Sequence, residues 1–354
     1  MPFGVLRFFD LNGASVSIKP FGNGLINHTW RVAVDDSEYI LQKINHHIFK
    51  VPEDLAFNIK HITRHISDAY PGCTMAQPVV AQNGQDVVYK EADGYYRVFP
   101  FISGSHSKVK CESVKQAFEA ARQFGRFAHM LSDFDASLLR PTIPFFHDLC
   151  VRCREFSQAL EMGNKERMAN AATLIDFLQQ QSGIVEKFIA IESDEAFKVR
   201  ATHSDTKISN VLFDDADNGI CVIDLDTVMP GYFISDVGDM LRTYLSPVTE
   251  EESDFSKIVI RDDYYKAVVQ GYYGEMEADL SEKEKRHFFY AGEFMIYMQA
   301  LRFLTDYLND DVYYGARYDD HNLVRAGNQA ILLERYLEKE CLLGGYLPES
   351  AVSK

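Results

Sequence analysis

The chain has 354 residues, 46% hydrophobic and 25% charged, an ordinary globular make-up with enough length for two lobes. A formal net charge of -16 excludes a general nucleic-acid binder, which needs basic patches to displace counterions, and argues against an anionic membrane surface. No apolar run approaches a membrane span and no apolar leader follows Arg7 and Asp10, so the expected location is the cytoplasm, with reduced thiols.

In chain order, residues 15–19, 28–34 and 38–44 read as strands, with Asp35-Asp36-Ser37 as the tight turn joining the last two. Between the first two lies Phe21-Gly22-Asn23-Gly24-Leu25-Ile26-Asn27-His28. Its paired glycines permit a close backbone approach to phosphates, and Gly22, Asn23 and Gly24 are candidate ATP contacts. No Gly-Lys-Ser/Thr follows, and Asn27 stands where a third glycine would complete a dinucleotide fingerprint. A plain hairpin turn is the competing account.

Lys43, near the end of the third strand, is the candidate cation for the α- and β-phosphates. Strand parity leaves Gln42 as the alternative, since Ile40 and Ile44 share its face. Residues 52–66 read as a helix with Leu55, Ile59, Ile62 and Ile66 on one face. Glu53, at its start, is either a partner for Lys43 or a carboxylate favoured by the helix dipole. A hairpin of residues 86–90 and 95–101 turns over Glu91-Ala92-Asp93-Gly94.

A linker then begins at Phe101-Ile102-Ser103-Gly104, and Pro100, Phe101 and Ile102 are placed at the nucleotide. The chain divides there into a nucleotide-binding lobe, 1–101, and a catalytic and substrate-binding lobe, 102–354. Helices are expected over 113–131, 145–160, 165–188, 235–244, 261–273, 282–308 and 321–343, with a frayed tail from Pro348. Cys150 and Cys153 read as a helical thiol pair, because no second pair sits at zinc spacing.

The chemistry concentrates in His203-Ser204-Asp205-Thr206-Lys207-Ile208-Ser209-Asn210 and in Ile223-Asp224-Leu225-Asp226. Strands at 211–213 and 220–223, joined by an Asp-rich turn, return Asp224 beside the loop. Phosphoryl transfer needs one carboxylate to orient the attacking hydroxyl and accept its proton, and oxygen ligands for magnesium. Asp205 suits the first task. Asn210 and Asp224 suit the second, because magnesium is a hard cation that prefers oxygen. Asp236 is either a helix N-cap or a brace behind this loop. Asp239 lies one turn on and is a candidate for the acceptor site. Arg302, on an apolar helix, is a snorkelling side chain or an acceptor contact.

These strings resemble the aminoglycoside phosphotransferase and choline kinase superfamily, and within it the N-acetylhexosamine 1-kinases. The resemblance rests on the Gly22-Asn23-Gly24 loop with Asn27-His28-Thr29, on Tyr39-Ile40-Leu41-Gln42-Lys43-Ile44-Asn45, on Arg97-Val98-Phe99-Pro100, on residues 203–214, and on Ile223-Asp224-Leu225-Asp226-Thr227-Val228-Met229-Pro230-Gly231. It implies an α+β, protein-kinase-like bilobal fold. It also implies ATP- and Mg2+-dependent phosphorylation of the anomeric hydroxyl of N-acetylglucosamine or N-acetylgalactosamine. Asp205 matches the catalytic aspartate, and Asn210 and Asp224 match the metal ligands. His28, Asp239, Arg302 and Tyr313 fall where sugar contacts would lie. Asp-Leu-Asp replaces the Asp-Phe-Gly of protein kinases, which makes Asp226 a candidate for a second ion. The competing functions are a kinase of another hexose, an amino alcohol or an aminoglycoside, and a nucleotide-sensing pseudokinase. A cationic acceptor calls for clustered carboxylates, and Arg302 beside it argues against one. The preferred sugar and the oligomeric state stay open.

Overall fold

The computed structural model describes residues 3–22, 26–90 and 94–348. The expectations for Asn23 and Gly24, for the turn at Glu91, Ala92 and Asp93, and for the tail beyond Pro348 lie outside the described residues.

After a short helix α1 (Phe3–Leu6), the N-terminal part is built on β1 (Val16–Pro20), β2 (His28–Val34), β3 (Ser37–Ile44), β4 (Val88–Lys90) and β5 (Gly94–Pro100). They form one antiparallel sheet in the order β1-β2-β3-β5-β4. The register pairs Trp30 with Leu41, Leu41 with Val98 and Gln42 with Arg97. Side chains alternate across a strand, so parity sorts them. One face carries Ile18, Val32, Leu41, Val98 and Tyr96 into a core closed by Val5, Leu6 and Phe9. The other face carries Thr29, Gln42 and Arg97 toward the helical part.

Helix α2 (Pro52–Ala69) starts on a proline, whose fixed φ suits a first turn, and buries Leu55, Ile59, Ile62 and Ile66 at helical spacing. Asn58, midway along it, donates to the carbonyls of Arg140 at 2.7 Å and Val228 at 3.2 Å. That side chain ties α2 to the C-terminal part.

The C-terminal part is mainly helical around one large core. Helix α3 (Val114–Met130) is capped by Ser113, which accepts from the Gln116 amide. Helix α4 (Leu149–Met162) begins four residues later than periodicity predicts. Asp148 caps it, and Phe145 just before has a φ of 57° that no helix continues through. The single helix expected over 165–188 is three: α5 (Lys165–Asn170), α6 (Ala172–Gln180) and α7 (Gly183–Glu192). Asn164 caps α5, and the weak helix formers Ser182 and Gly183 mark the second break.

Short strands then frame the catalytic loop. Strand β6 (His106–Ser107) pairs with β8 (Val211–Phe213), β8 with β9 (Gly219–Val222), and β7 (Arg200–Thr202) with β10 (Met229–Gly231). Helices α8 (Phe233–Tyr244) and α9 (Asp262–Met276) follow. The helix expected over 282–308 is split: a capping box between Ser281 and Glu284 opens the single turn α10 (Glu282–Lys285), which ends at Arg286, and α11 (Phe288–Leu308) starts after His287. The last helix also divides, into α12 (His321–Leu337) and α13 (Glu340–Leu343). Gly238 of α8 faces α11 so closely that a Cβ there would collide with the Ala291 carbonyl. This contact fixes the spacing of the two helices that carry Asp239 and Arg302. Among the described residues no helix is long and apolar enough to cross a membrane.

Candidate active site

The loop after β7 is held by its backbone. Asp236, buried in the first turn of α8, accepts from the amides of His203 at 3.0 Å and Ser204 at 2.8 Å. It is the brace rather than the N-cap, a position held by Tyr232. Burial pushes its carboxyl up to about 7, against the two amides, which favour the charged form. The Tyr244 hydroxyl donates to the Thr206 carbonyl at 2.6 Å, and the Thr227 hydroxyl to the His203 carbonyl at 2.8 Å. The Asp205 amide donates to His203 Nδ1 at 3.3 Å, so the ring proton sits on Nε2 and donates to the Ile223 carbonyl at 3.0 Å. Burial depresses the His203 pKa, which keeps the ring neutral. These contacts lock Ser204 in the left-handed conformation, with a φ of 62°.

Asp205 is thereby presented half-buried. Asn210 Nδ2 donates to its carbonyl at 2.8 Å and to its Oδ2 at 3.1 Å, and Lys207 Nζ lies 3.0 Å from the same Oδ2. The use of its nitrogen leaves Asn210 its oxygen for a cation. Burial works against the Lys207 ammonium, but Asp205 beside it holds its pKa above the ordinary value. Sequence reading assigned Lys207 no part; its position two residues after Asp205 was the available signal.

Asp224 leaves β9 with a φ of 61°. It is exposed to the cleft, yet the surrounding mass of protein, then the like charges of Asp226 and Asp205, push its carboxyl up to about 7. Because the group keeps contact with solvent, the like charges are the more telling cause. A divalent cation held by Asp224 and the Asn210 oxygen would relieve that repulsion, so the oxygen-only donor set fits magnesium.

Asp226, a candidate for a second ion, is otherwise engaged. Its two oxygens take Arg97 Nη1 at 2.5 Å and Nη2 at 2.8 Å, and Asn27 Nδ2 donates to it at 2.8 Å. Arg97 and Asp226 are each 2% exposed. Arg97 Nε also donates to Gln42 Oε1 at 2.9 Å. The sheet face toward the cleft therefore holds Gln42 and Arg97. Lys43 sits on the other face, with its ammonium 5.9 Å from the centre of the Tyr96 ring. His28 pairs with Lys43 in register, is exposed, and has its ring 6.2 Å from Trp30, so parity sends it the same way. Glu53 lies against Tyr95, raising the pKa of that phenol. Arg97 was part of a recognised string but had no assigned role; only cross-strand register reveals its direction.

At the linker, the Phe101 amide donates to the Glu38 carbonyl at 2.9 Å, and the Ser105 hydroxyl to the Ile102 carbonyl at 2.5 Å. Arg31 lies 4.2 Å over the Phe101 ring. Pro100 ends β5 opposite Tyr39. Gly22 has a φ of 75°, a conformation that favours glycine.

On α8, Asp239 is buried beneath the loop, with its Oδ2 3.5 Å from the Thr206 hydroxyl. Arg242 holds its Oδ1 through Nε at 3.1 Å and Nη2 at 2.9 Å. Arg302 donates to Gln299 at 3.2 Å and lies among aromatic rings, 5.0 Å from Phe146, 5.6 Å from Tyr314 and 5.9 Å from Tyr313. The Tyr313 ring is itself largely exposed. Burial, followed by Arg302 and Arg242, holds His147 neutral between them. The structure thus groups Asp205, Lys207, Asn210 and Asp224, and beside them Asp239 with Arg242, while Arg302 and Tyr313 belong to the aromatic cluster of Phe146 and Tyr314. His28 and Lys43 stand apart.

Residues 17–275 match the phosphotransferase enzyme family, APH. Among solved structures, a microcompartment-associated aminopropanol kinase is 16% identical, with a TM-score of 0.65 over 98% of this chain and 98% of that one. An aminoglycoside phosphotransferase from Alicyclobacillus acidocaldarius is 13% identical, with a TM-score of 0.63 over 96% of this chain and 94% of that one. An ethanolamine kinase from Plasmodium vivax is 15% identical, with a TM-score of 0.55 over 90% and 84%. At these identities the likeness establishes the kinase-like α+β fold.

Proposed function

The chain belongs to the phosphotransferase enzyme family, and from that premise we propose that it moves the γ-phosphoryl group of ATP to the anomeric hydroxyl of an N-acetylhexosamine. The observation that carries the acceptor class is the charge balance around Asp239. Its carboxylate is matched by Arg242, and Arg302 and Arg242 together bear on His147. Such a lining suits a neutral, hydroxyl-rich acceptor and repels an ammonium group.

In this reading ATP lies between the sheet part, residues 1–101, and the helical part, residues 102–354, with the Gly22 loop over its phosphates and Pro100, Phe101 and Ile102 at its base. Asn210 and Asp224 hold Mg2+, which when bound offsets the charge of the phosphate oxygens. Asp205 accepts a hydrogen bond from the sugar hydroxyl and takes its proton as the phosphoryl group moves. Lys207, already on Asp205 Oδ2, keeps that carboxylate turned. Asp239, Arg302 and Tyr313 contact the sugar.

The test is a phosphorylation screen with Mg-ATP against N-acetylglucosamine, N-acetylgalactosamine, plain hexoses, ethanolamine, choline and aminoglycosides, with the phosphorylated atom identified by NMR. A sugar 1-phosphate supports the proposal. Turnover confined to the amines would replace it with an amine kinase.

A further inference from the structure

The side chain that most shapes the acceptor surface comes from neither recognised motif. Arg242 lies three residues beyond Asp239 on α8 and is itself 11% exposed. Both nitrogens it offers Asp239 converge on one oxygen, Oδ1. Its third nitrogen, Nη1, is anchored 2.7 Å from Glu250 Oε2, and Glu250 is gripped on its other oxygen by Arg325. Arg325 in turn stacks 3.7 Å over the Phe303 ring of α11. Asp239, Arg242, Glu250 and Arg325 therefore alternate in sign along one line that starts beside the catalytic loop.

We propose that Arg242 is the specificity-determining residue of the acceptor site: it cancels the charge of Asp239 and fixes that carboxylate with Oδ2 left unsaturated for a substrate hydroxyl. The proposal rests on the neutral-acceptor reading above and deepens it. Two features support it. Among the described residues Oδ2 has only the Thr206 hydroxyl, at 3.5 Å, and that hydroxyl already donates to the Asp236 carbonyl at 2.7 Å. One oxygen thus keeps acceptor capacity while the other is saturated. Without Arg242, Asp239 would be a buried lone carboxylate, the ordinary device for holding an ammonium group. With it, the carboxylate can accept a hydroxyl but gives an ammonium no net attraction.

The experiment compares N-acetylglucosamine with glucosamine, which differ chiefly in a neutral amide against a protonated amine. Kinetics are measured at saturating Mg-ATP for the wild type, Arg242→Lys, Arg242→Gln and the double variant Arg242→Gln/Glu250→Gln. The double variant removes both charges of the anchor, so Glu250 is not left charged without Arg242 if the single glutamine variant melts. Loss of a charged hydrogen bond predicts an increase of about 10- to 100-fold in KM for N-acetylglucosamine in the glutamine variants. KM for ATP should stay within about twofold, and the preference should move toward glucosamine by at least about tenfold. Arg242→Lys, which keeps the charge but not the double hold, should retain the preference while raising KM. An equal loss on both sugars, or a rise in KM for ATP to match, would overturn the proposal and leave Arg242 a packing residue. A wild type that rejects neutral sugars defeats the proposed function before any variant is made. A wild type that accepts them, with glutamine variants unchanged in preference, defeats only the role of Arg242.

Discussion

Two buried arginine–aspartate pairs flank the catalytic loop, and they are built differently. Arg97 and Asp226 come from opposite halves of the molecule and meet with both carboxylate oxygens taken, a third donor arriving from Asn27. Arg242 and Asp239 are neighbours on one helix, and the arginine spends two nitrogens on one oxygen. The first carboxylate has no capacity left for a ligand and acts as a strut. The second keeps an oxygen for one. Counting what remains after the protein's own bonds separates holding from binding better than burial does, since both aspartates are buried.

The comparison can be broken in several ways. The largest expected effect lies between the pairs, at Asp205. Asp205→Asn should lower kcat by about 100- to 10,000-fold, as loss of a general base does, with KM for ATP little changed. Near-normal turnover would remove Asp205 from the chemistry. Next is the strut. Arg97→Met leaves Asp226 buried without its cation and should cost about 3–5 kcal/mol in chemical denaturation. Arg97→Met/Asp226→Asn should recover part of that loss, and a double variant worse than the sum of the singles would contradict the strut.

A smaller loss is expected at the brace. Asp236→Asn keeps one acceptor for two amides and should cost about 1–3 kcal/mol of stability, with kcat falling more than KM. For the metal, Asn210→Ala and Asp224→Ala should each shift the magnesium titration to higher concentration; identical titrations would end their assignment as ligands. The smallest change is reserved for Lys43, which faces away from both pairs. Lys43→Met should leave KM for ATP within about twofold, the range of substitutions outside a site. A rise of about tenfold or more would put Lys43 back at the phosphates.

How much of this the sequence reveals depends on how local each feature is. The loop from His203 to Asn210 and the return to Asp224 are contiguous, and their strands, turn and carboxylates fall as the pattern implies. The sheet strands were legible from alternation as well. Direction was harder. Whether Gln42 or Lys43 turns to the cleft is decided by a partner strand 55 residues away, through the Arg97–Gln42 bond. The helix breaks at Ala171 and before Leu149 escaped because apolar spacing continues across them: Ala171 carries no side-chain cap, and the cap Asp148 resembles any exposed polar residue. Arg242 was missed for a similar reason. An arginine three residues after an aspartate is commonplace on helix surfaces, and only tertiary packing shows this pair to be internal.

The brace at Asp236 also sets an order in time. The loop residues are synthesised some thirty positions before the carboxylate that shapes them. A nascent chain that has emerged as far as Asn210 holds every loop residue, yet the His203 and Ser204 amides have nothing to bind until α8 arrives and docks. The loop's geometry is thus withheld from partial chains. A translation product that stops short of residue 236 carries the signature of the enzyme without its working shape.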